Sequence, residues 1–506
     1  MFLHRLKFRK WRTAVLVGLL LSLGPARRPL AQEHIRLLHW SDFHAANQFK
    51  EQKAGNQRYR VGGAALLAGA LEFYRQDPIP TAAVHAGDEF QGTPICTITR
   101  GESQMVLLKM LHPDVFAPGN HDFDYGKDRL LQLLRKYPQP VVCANLWSNR
   151  LGKTLFPPYR ILRLDKVRVG VIGLITPSLE RLVMRGNISG LKVLDPVATA
   201  RRYARVLRDS VDLIVVASHM GIEEDRKLAR AFNGIDLILG GHSHTVMKRA
   251  EVVNGVIISH AGSRGRYLDR LELWVDTERD TIVRFQRELM ELTSRRFRPD
   301  GRVQAVVDSM ENIVNKRLSG VIARLQRDWV RVYRGESNIG DWIADAYRDY
   351  TGADIAFHNS GGIRKNLPKG PVTKRDIWEI VPFENYVVTF DVKGRELYTM
   401  MENNFDGRGE FLQISGMKVW VDLSAPVGRR VKKIDVAGKP VDPNKTYRAA
   451  TNNFIFNHFY QTFGISPKGR HPRYWDKVDH DILIDYALRQ KIIPGKKDGR
   501  IHIVRR

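Results

Sequence analysis

The chain has 506 residues, with 81 Lys and Arg against 54 Asp and Glu, a formal charge of +27. An apolar share of 43% and an aromatic share of 9% are ordinary for a globular protein and exclude a disordered or fibrous chain. The length accommodates two or three domains of roughly 150–200 residues, two cysteines exclude a disulfide scaffold or a Cys-built zinc module, and no apolar run reaches the ~20 residues of a spanning helix.

The chain opens on a secretory pattern over residues 1–31. Arg5, Lys7, Arg9, Lys10 and Arg12 precede an apolar core, Ala14 to Gly24, and Pro29-Leu30-Ala31 offers a small residue for cleavage, with Ala26 as a second position. This predicts an exported protein, periplasmic or secreted, with no transmembrane anchor once the signal is cleaved. The segment carries seven Lys or Arg and no acid, so the remainder keeps about +20, spread along its whole length. No helix-turn-helix, zinc-finger or RNA-motif pattern accompanies that charge, so no nucleic-acid polymer is expected as a partner. The surplus suits the steering of small anions. Export leaves two readings for Cys96 and Cys143, a disulfide or two separate thiols.

From Ile35 to about Arg295, short Val- and Ile-rich runs alternate with helix-like stretches. Examples of the latter are Val61 to Tyr74 and Pro196 to Asp209, with Asp195-Pro196 as N-cap and first helical residue. Such alternation predicts a layered α/β domain. At Phe297 to Gly301 the alternation stops. A long helical stretch, Arg302 to about Gln326, follows and leads into a second α/β region from about Arg331 to the C-terminus.

Five polar motifs fall at the ends of strand-like runs: Asp42-Phe43-His44, Gly87-Asp88, Gly119-Asn120-His121-Asp122, Ser218-His219-Met220-Gly221 and Gly240-Gly241-His242-Ser243-His244. Asp and His are ligands for hard-to-borderline divalent metals. Ligands in open α/β sheets collect at the carboxyl ends of strands. On extended backbone, Asp42 with His44 and His242 with His244 would each point one way and chelate one site. His85 and His260 also lie near strand ends but fit no ligand pattern, and a hydrogen-bonded structural role is expected for both.

In this order and spelling the motifs resemble the calcineurin-like metallophosphoesterases, and more narrowly the exported 5′-nucleotidases, whose relatives include UDP-sugar hydrolases and 2′,3′-cyclic-nucleotide phosphodiesterases. The resemblance implies a layered β-sandwich flanked by helices over 32–298, a linker helix over 299–330 and a smaller α/β nucleotide-binding domain over 331–506. It implies two divalent metal ions, zinc or manganese. Asp42, His44 and His244 would bind the first, Asn120, His219 and His242 the second, and Asp88 both. His121, oriented by Asp124, would stabilise the transition state and protonate the leaving group. The implied reaction is release of phosphate from nucleoside 5′-monophosphates by a metal-activated hydroxide. The first motif departs slightly from the family's N-D-x-H-G, reading Ser41-Asp42-Phe43-His44-Ala45.

The second region carries Asn359-Ser360-Gly361-Gly362-Ile363-Arg364, Pro382-Phe383-Glu384-Asn385 and Thr451-Asn452-Asn453-Phe454. By the same resemblance, Arg364 would hold a phosphate or ribose, Phe383 and Phe454 would sandwich a base, Asn385 would read its edge, and Arg334 would be a further substrate-binding arginine. One departure stands out. The family's G-G-D-G turn after the second stacking Phe is replaced by Ile455-Phe456-Asn457-His458-Phe459-Tyr460. Its ribose-binding Asp is absent, and the three aromatics here would offer an apolar platform instead. The alternatives are a cyclic-nucleotide phosphodiesterase or UDP-sugar hydrolase, more distantly a sulfur-ester hydrolase, and, from another class, a non-catalytic exported binding protein or a basic protein on anionic polymers.

Overall fold

The computed structural model describes residues 32–383, 385–407 and 409–504. The leader predicted over 1–31 lies outside the described residues. The first domain is a sandwich of two sheets. One has the order Thr281–Glu291, Tyr267–Asp276, Gln32–Trp40, Thr81–His85 and Val115–Phe116. The other runs Glu251–Val253, Val256–His260, Leu237–Gly240, Leu213–His219, Val167–Ile175 and Tyr159–Leu164. Leu213, Val215 and Ala217 meet Ile35, Leu37 and Val84 between the sheets. Ile214 and Val216 point the other way, onto helices Pro196–Leu207 and Ile222–Ala231. Both faces of these parallel strands are covered, which is why they read as unbroken apolar runs. As expected, Asp195 caps its helix, accepting from the Ala198 amide at 2.7 Å with Pro196 first in the helix.

Parallel pairing brings the carboxyl ends of Gln32–Trp40, Thr81–His85 and Val115–Phe116 to one edge of the first sheet. Leu213–His219, Leu237–Gly240 and Val256–His260 do the same in the second. The five polar motifs therefore share one rim of the sandwich.

Asp300 caps the helix Gly301–Leu318, its carboxylate accepting from the Arg302 and Val303 amides. Val303, Val307, Met310, Val314 and Leu318 fall on one helical stripe and seat in the first domain's core. The helix is shorter than the 299–330 stretch expected. It stops at Leu318, and Val321–Leu325 is a strand pairing with Gly370–Thr373 and Ile492–Ile493 of the second domain. Two remote strands there offer a ladder that overrides local helical tendency.

The second domain centres on a sheet ordered Leu412–Ser415, Ile355–Asn359, Thr446–Asn452, Tyr386–Lys393 and Arg473–Val478. Helices Asn338–Thr351 and Asp479–Gln490 cover one face. Gly394–Asn404 and Phe459–Phe463 cover the other. Among the described residues no helix is long and apolar enough to cross a membrane.

Candidate active site at the domain junction

The motif loops continue the pairing of their strands. The Asp42 amide donates to the Gly87 carbonyl at 2.8 Å, His44 to Asp88 at 3.0 Å and Gly241 to Ser218 at 2.8 Å. The side chains then converge in two groups, Asp42 with His44 and His244, and Asp88 with His219 and His242. Asp88 faces both. Its Oδ2 lies 3.2 Å from His219 Nε2 and 3.7 Å from His44 Nε2. The ligand pairs are not on extended backbone as expected. Asp42, His44, Asp88, His242 and His244 all have φ between +50° and +74°. Left-handed backbone at five non-glycine residues costs energy, and it persists only where surrounding structure imposes it. Here the loop amides bonded across the strand ends do so.

Asp122, within the third motif, supports the site from beneath. Its buried carboxylate accepts from the amides of Asp88, Glu89, Phe90 and Gly119 at 2.8 to 3.1 Å. His219 Nδ1 donates to the Ala86 carbonyl at 2.7 Å, which turns its Nε2 toward the site. Burial works to lower its pKa, but the Asp88 carboxylate outweighs this and pushes it up to about 10. Gly119 is required by space: a Cβ there would sit 2.2 Å from Asp88 Oδ1 and 2.6 Å from its amide nitrogen. Gly119→Ala is expected to displace Asp88 and weaken metal retention more than about tenfold, the scale of losing a supporting contact. Metal titration of the folded variant, followed by circular dichroism, checks it.

The residues fit divalent cations. Burial pushes the imidazoles of His242 and His244 down to about 3 and about 4, so both are neutral donors near neutral pH. Burial, aided by the neighbouring Asp88 carboxylate and opposed by His219, pushes Asp42 up to about 6. His44 and His244 bring their Nε2 atoms to 2.9 Å. Asn120 Oδ1 is buried without a hydrogen-bond partner, and His219 Nε2 has the Asp88 carboxylate at 3.2 Å. Imidazoles, carboxylates and an orphaned amide oxygen around one space are the donor set of a two-metal centre.

His121 sits beside the groups. Its amide donates to Asp88 Oδ1 at 2.8 Å and its Nδ1 pairs with Asp124 Oδ2 at 2.8 Å. Burial works to lower the His121 pKa, but the Asp124 and Asp88 carboxylates outweigh it and hold it raised.

A cavity of about 690 Å³ opens over these residues between the domains. Asp88, Asn120, His121, Asp124, His242 and His244 line it from the first domain, and Arg364, Phe383, Asn385 and Phe454 from the second. The Phe383 ring lies 6.0 Å from that of His121, and the Arg364 guanidinium 5.9 Å from Phe383. Arg364 Nη1 donates to the Gly361 carbonyl at 3.2 Å, which holds the guanidinium near the cavity.

Two expectations change, and one open alternative closes. Arg334 is exposed and does not line the cavity; its neighbour Tyr333 does. The aromatic platform after Phe454 does not form. Phe456 packs against the second domain's core and Phe459 is buried in it, both on Phe390, and Tyr460 faces solvent. Cys96 and Cys143 are separate buried thiols, each pushed by burial up to about 12. His85 pairs with Glu89 at 3.1 Å and His260 with Asp225 at 2.8 Å, the structural roles expected. Asn359 and Asn453, which belong to the motifs carrying Arg364 and Phe454, also line the cavity; so do Met184 and Asn187, which no sequence motif announced.

Residues 35–246 match the model of the calcineurin-like phosphoesterases, and residues 319–463 that of the 5′-nucleotidase C-terminal domain. The crystal structure of a 5′-nucleotidase precursor from Thermus thermophilus is 30% identical, covers 94% of this chain and all of its own, and superposes with a TM-score of 0.83. An apyrase of Tabanus yao is 27% identical over 93% of this chain and 94% of its own length. The endonuclease YhcR of Bacillus subtilis is 28% identical over 95% of this chain, which spans only 42% of that protein. Both domains, in this order and over nearly the whole described length, place the chain in the 5′-nucleotidase family of calcineurin-like metallophosphoesterases.

Proposed function

We propose that the protein is an exported, two-metal phosphomonoesterase that releases phosphate from nucleoside 5′-monophosphates. The observation that carries this reading is the cavity joining two metal-ligating groups to a cation and two aromatic rings from another domain. Asp42, His44 and His244 would hold one divalent cation. Asn120, His219 and His242 would hold the other, with Asp88 facing both; zinc and manganese suit this donor set. Such a pair supplies Lewis-acid charge and a water of lowered pKa. Arg364 holds the phosphoryl oxygens by charge-assisted bonds. Phe383 and Phe454 hold the base by stacking and Asn385 reads its edge. His121, whose pKa Asp124 and Asp88 raise, stabilises charge on the phosphoryl group and, in its acid form, passes its Nε2 proton to the departing ribose oxygen. The domain limits follow the same reading: the phosphoesterase unit over 32–298, the connecting helix Gly301–Leu318, and the substrate domain beyond. Export rests on the basic and apolar pattern of residues 1–31.

Hydrolysis of AMP, a 2′,3′-cyclic nucleotide, a UDP-sugar and p-nitrophenyl phosphate, followed by chromatography of the products as well as by phosphate release, with Mn²⁺ or Zn²⁺ and with chelator, tests the reading. AMP hydrolysis that chelation abolishes is expected. Turnover of the cyclic nucleotide or UDP-sugar in place of AMP would keep the metal chemistry and replace the substrate. That second reading is favoured by the missing acidic turn after Phe454. Metal retention with no turnover of any ester would point to a binding protein.

A further inference from the structure

One first-domain segment joins the leaving-group side of the cavity to the His121–Asp124 pair while contributing neither a metal ligand nor an acid. It comprises the short helix Leu179–Leu182 and the turn Arg185–Ile188. Met184 and Asn187 both line the cavity and share one turn, the Asn187 amide donating to the Met184 carbonyl at 2.9 Å. Toward the second domain, Met184 Sδ accepts from Asn453 Nδ2 at 3.4 Å and Asn457 Nδ2 at 3.2 Å. Asn453 is 2% exposed, and its Oδ1 accepts from the Tyr386 amide at 3.0 Å. It thus ties the loop carrying Phe383 and Asn385 to the residue before Phe454. Toward the chemistry, Asn187 Nδ2 donates to the Asp124 carbonyl at 2.6 Å.

We infer that Met184 is a specificity-determining wall of the leaving-group pocket and that Asn187 is a positioning residue that fixes Asp124, and through it His121. The reasoning is physical. The two asparagine amides facing Met184 each spend a donor on its sulfur, so this wall meets a leaving group mainly with the thioether's polarizable apolar surface. Selection here is by bulk and flatness. Asp124 follows a short 3₁₀ turn, His121–Phe123, whose loop needs an external anchor to hold its carboxylate on His121. The Asn187 amide is that anchor. The coupling follows from connectivity: the side chain that walls the pocket and the one that steadies the acid stand three residues apart.

The inference rests on the phosphoesterase reading but not on a nucleotide substrate, so its test uses aryl esters as well. Met184→Ala, Met184→Leu, Asn187→Ala and Asn187→Ser are assayed with metal on p-nitrophenyl phosphate, 4-methylumbelliferyl phosphate and AMP. Met184→Ala is expected to raise KM for the two bulkier esters about five- to tenfold relative to p-nitrophenyl phosphate, with kcat within about twofold. Met184→Leu, which keeps the volume, should restore most of this. Asn187→Ala is expected to lower kcat about tenfold on AMP, with little change in KM, and to add almost nothing to Asp124→Asn in the double variant. Asn187→Ser probes the same anchor with a shorter side chain that leaves the turn's backbone alone. Two results overturn the assignment. One is an unchanged ratio between bulky and small esters in Met184→Ala. The other is an Asn187→Ala loss that multiplies with Asp124→Asn. AMP inertness of the parent, with the aryl-ester ratio shifted by Met184→Ala as expected and the Asn187→Ala loss read on 4-methylumbelliferyl phosphate, would instead remove the nucleotide and leave Met184 and Asn187 in place.

Discussion

Asp88→Asn is expected to abolish turnover, by at least about 10³-fold, and to strip the protein of stoichiometric metal. Asp88 groups with His219, 3.2 Å away, and His242, and it also lies 3.7 Å from His44 of the other group, so it faces both. Its other oxygen accepts the His121 amide at 2.8 Å. An amide of the same shape keeps that contact but removes the negative charge and one acceptor facing the metals. The side chain is 1% exposed, so water cannot replace what is lost. Metal analysis after desalting, with phosphate release on AMP, reads both effects. Two bound metals and a rate within about tenfold of the parent would sink the bridging role.

His121→Ala is expected to lower kcat on AMP by about 10²- to 10⁴-fold, the usual worth of a general acid, while metal content stays unchanged. The loss should be smaller on p-nitrophenyl phosphate, because nitrophenolate leaves without a proton and ribose alkoxide does not. Equal losses on both esters would confine His121 to the phosphoryl oxygens. The pH dependence carries a sign. His121 is raised because Asp124 and Asp88 outweigh burial, so its acid form is lost only as pH climbs through that raised value. Asp124→Asn removes one of the two carboxylates, and the alkaline limb of kcat/KM should move to lower pH. A limb that stays put would mean that another group titrates there.

The metal-ligating residues are legible because their signal is local. Each of the five motifs couples a Val- and Ile-rich run to a glycine-bearing turn with Asp, Asn or His, and strand ends of this kind meet at one rim in any parallel arrangement. Their backbone is not legible. Extended geometry is the natural expectation for Asp42-Phe43-His44 and His242-Ser243-His244, yet these ligands are left-handed because amides across the loop mouths compel it.

The second domain shows the limit more sharply. Arg364, Phe383, Asn385 and Phe454 converge as the motifs suggested. Arg334 does not: it is exposed and its Nη2 donates to the Gly409 carbonyl at 3.5 Å, while the neighbouring Tyr333 lines the cavity. Phe456 and Phe459 pack toward the core because the short helices Asn453–Asn457 and Phe459–Phe463 set their phase against Phe390. That phase comes from the sheet beneath them. The helix after Gly301 likewise ends at Leu318, because strands 370–373 and 492–493 capture the residues that follow.

The α/β class, the two-part chain and a metal site at the strand ends are encoded within a few residues of those ends, and the amino-acid order suffices to read them; the individual ligands and the His121–Asp124 pair follow from the resemblance of those motifs to the metallophosphoesterases. The cavity they share is a property of the folded chain. So are the contact of Met184 with Asn453 across 269 positions and the hold of Asn187 on Asp124. Contacts of that separation depend on how two cores settle against one helix, and no local spacing carries that information.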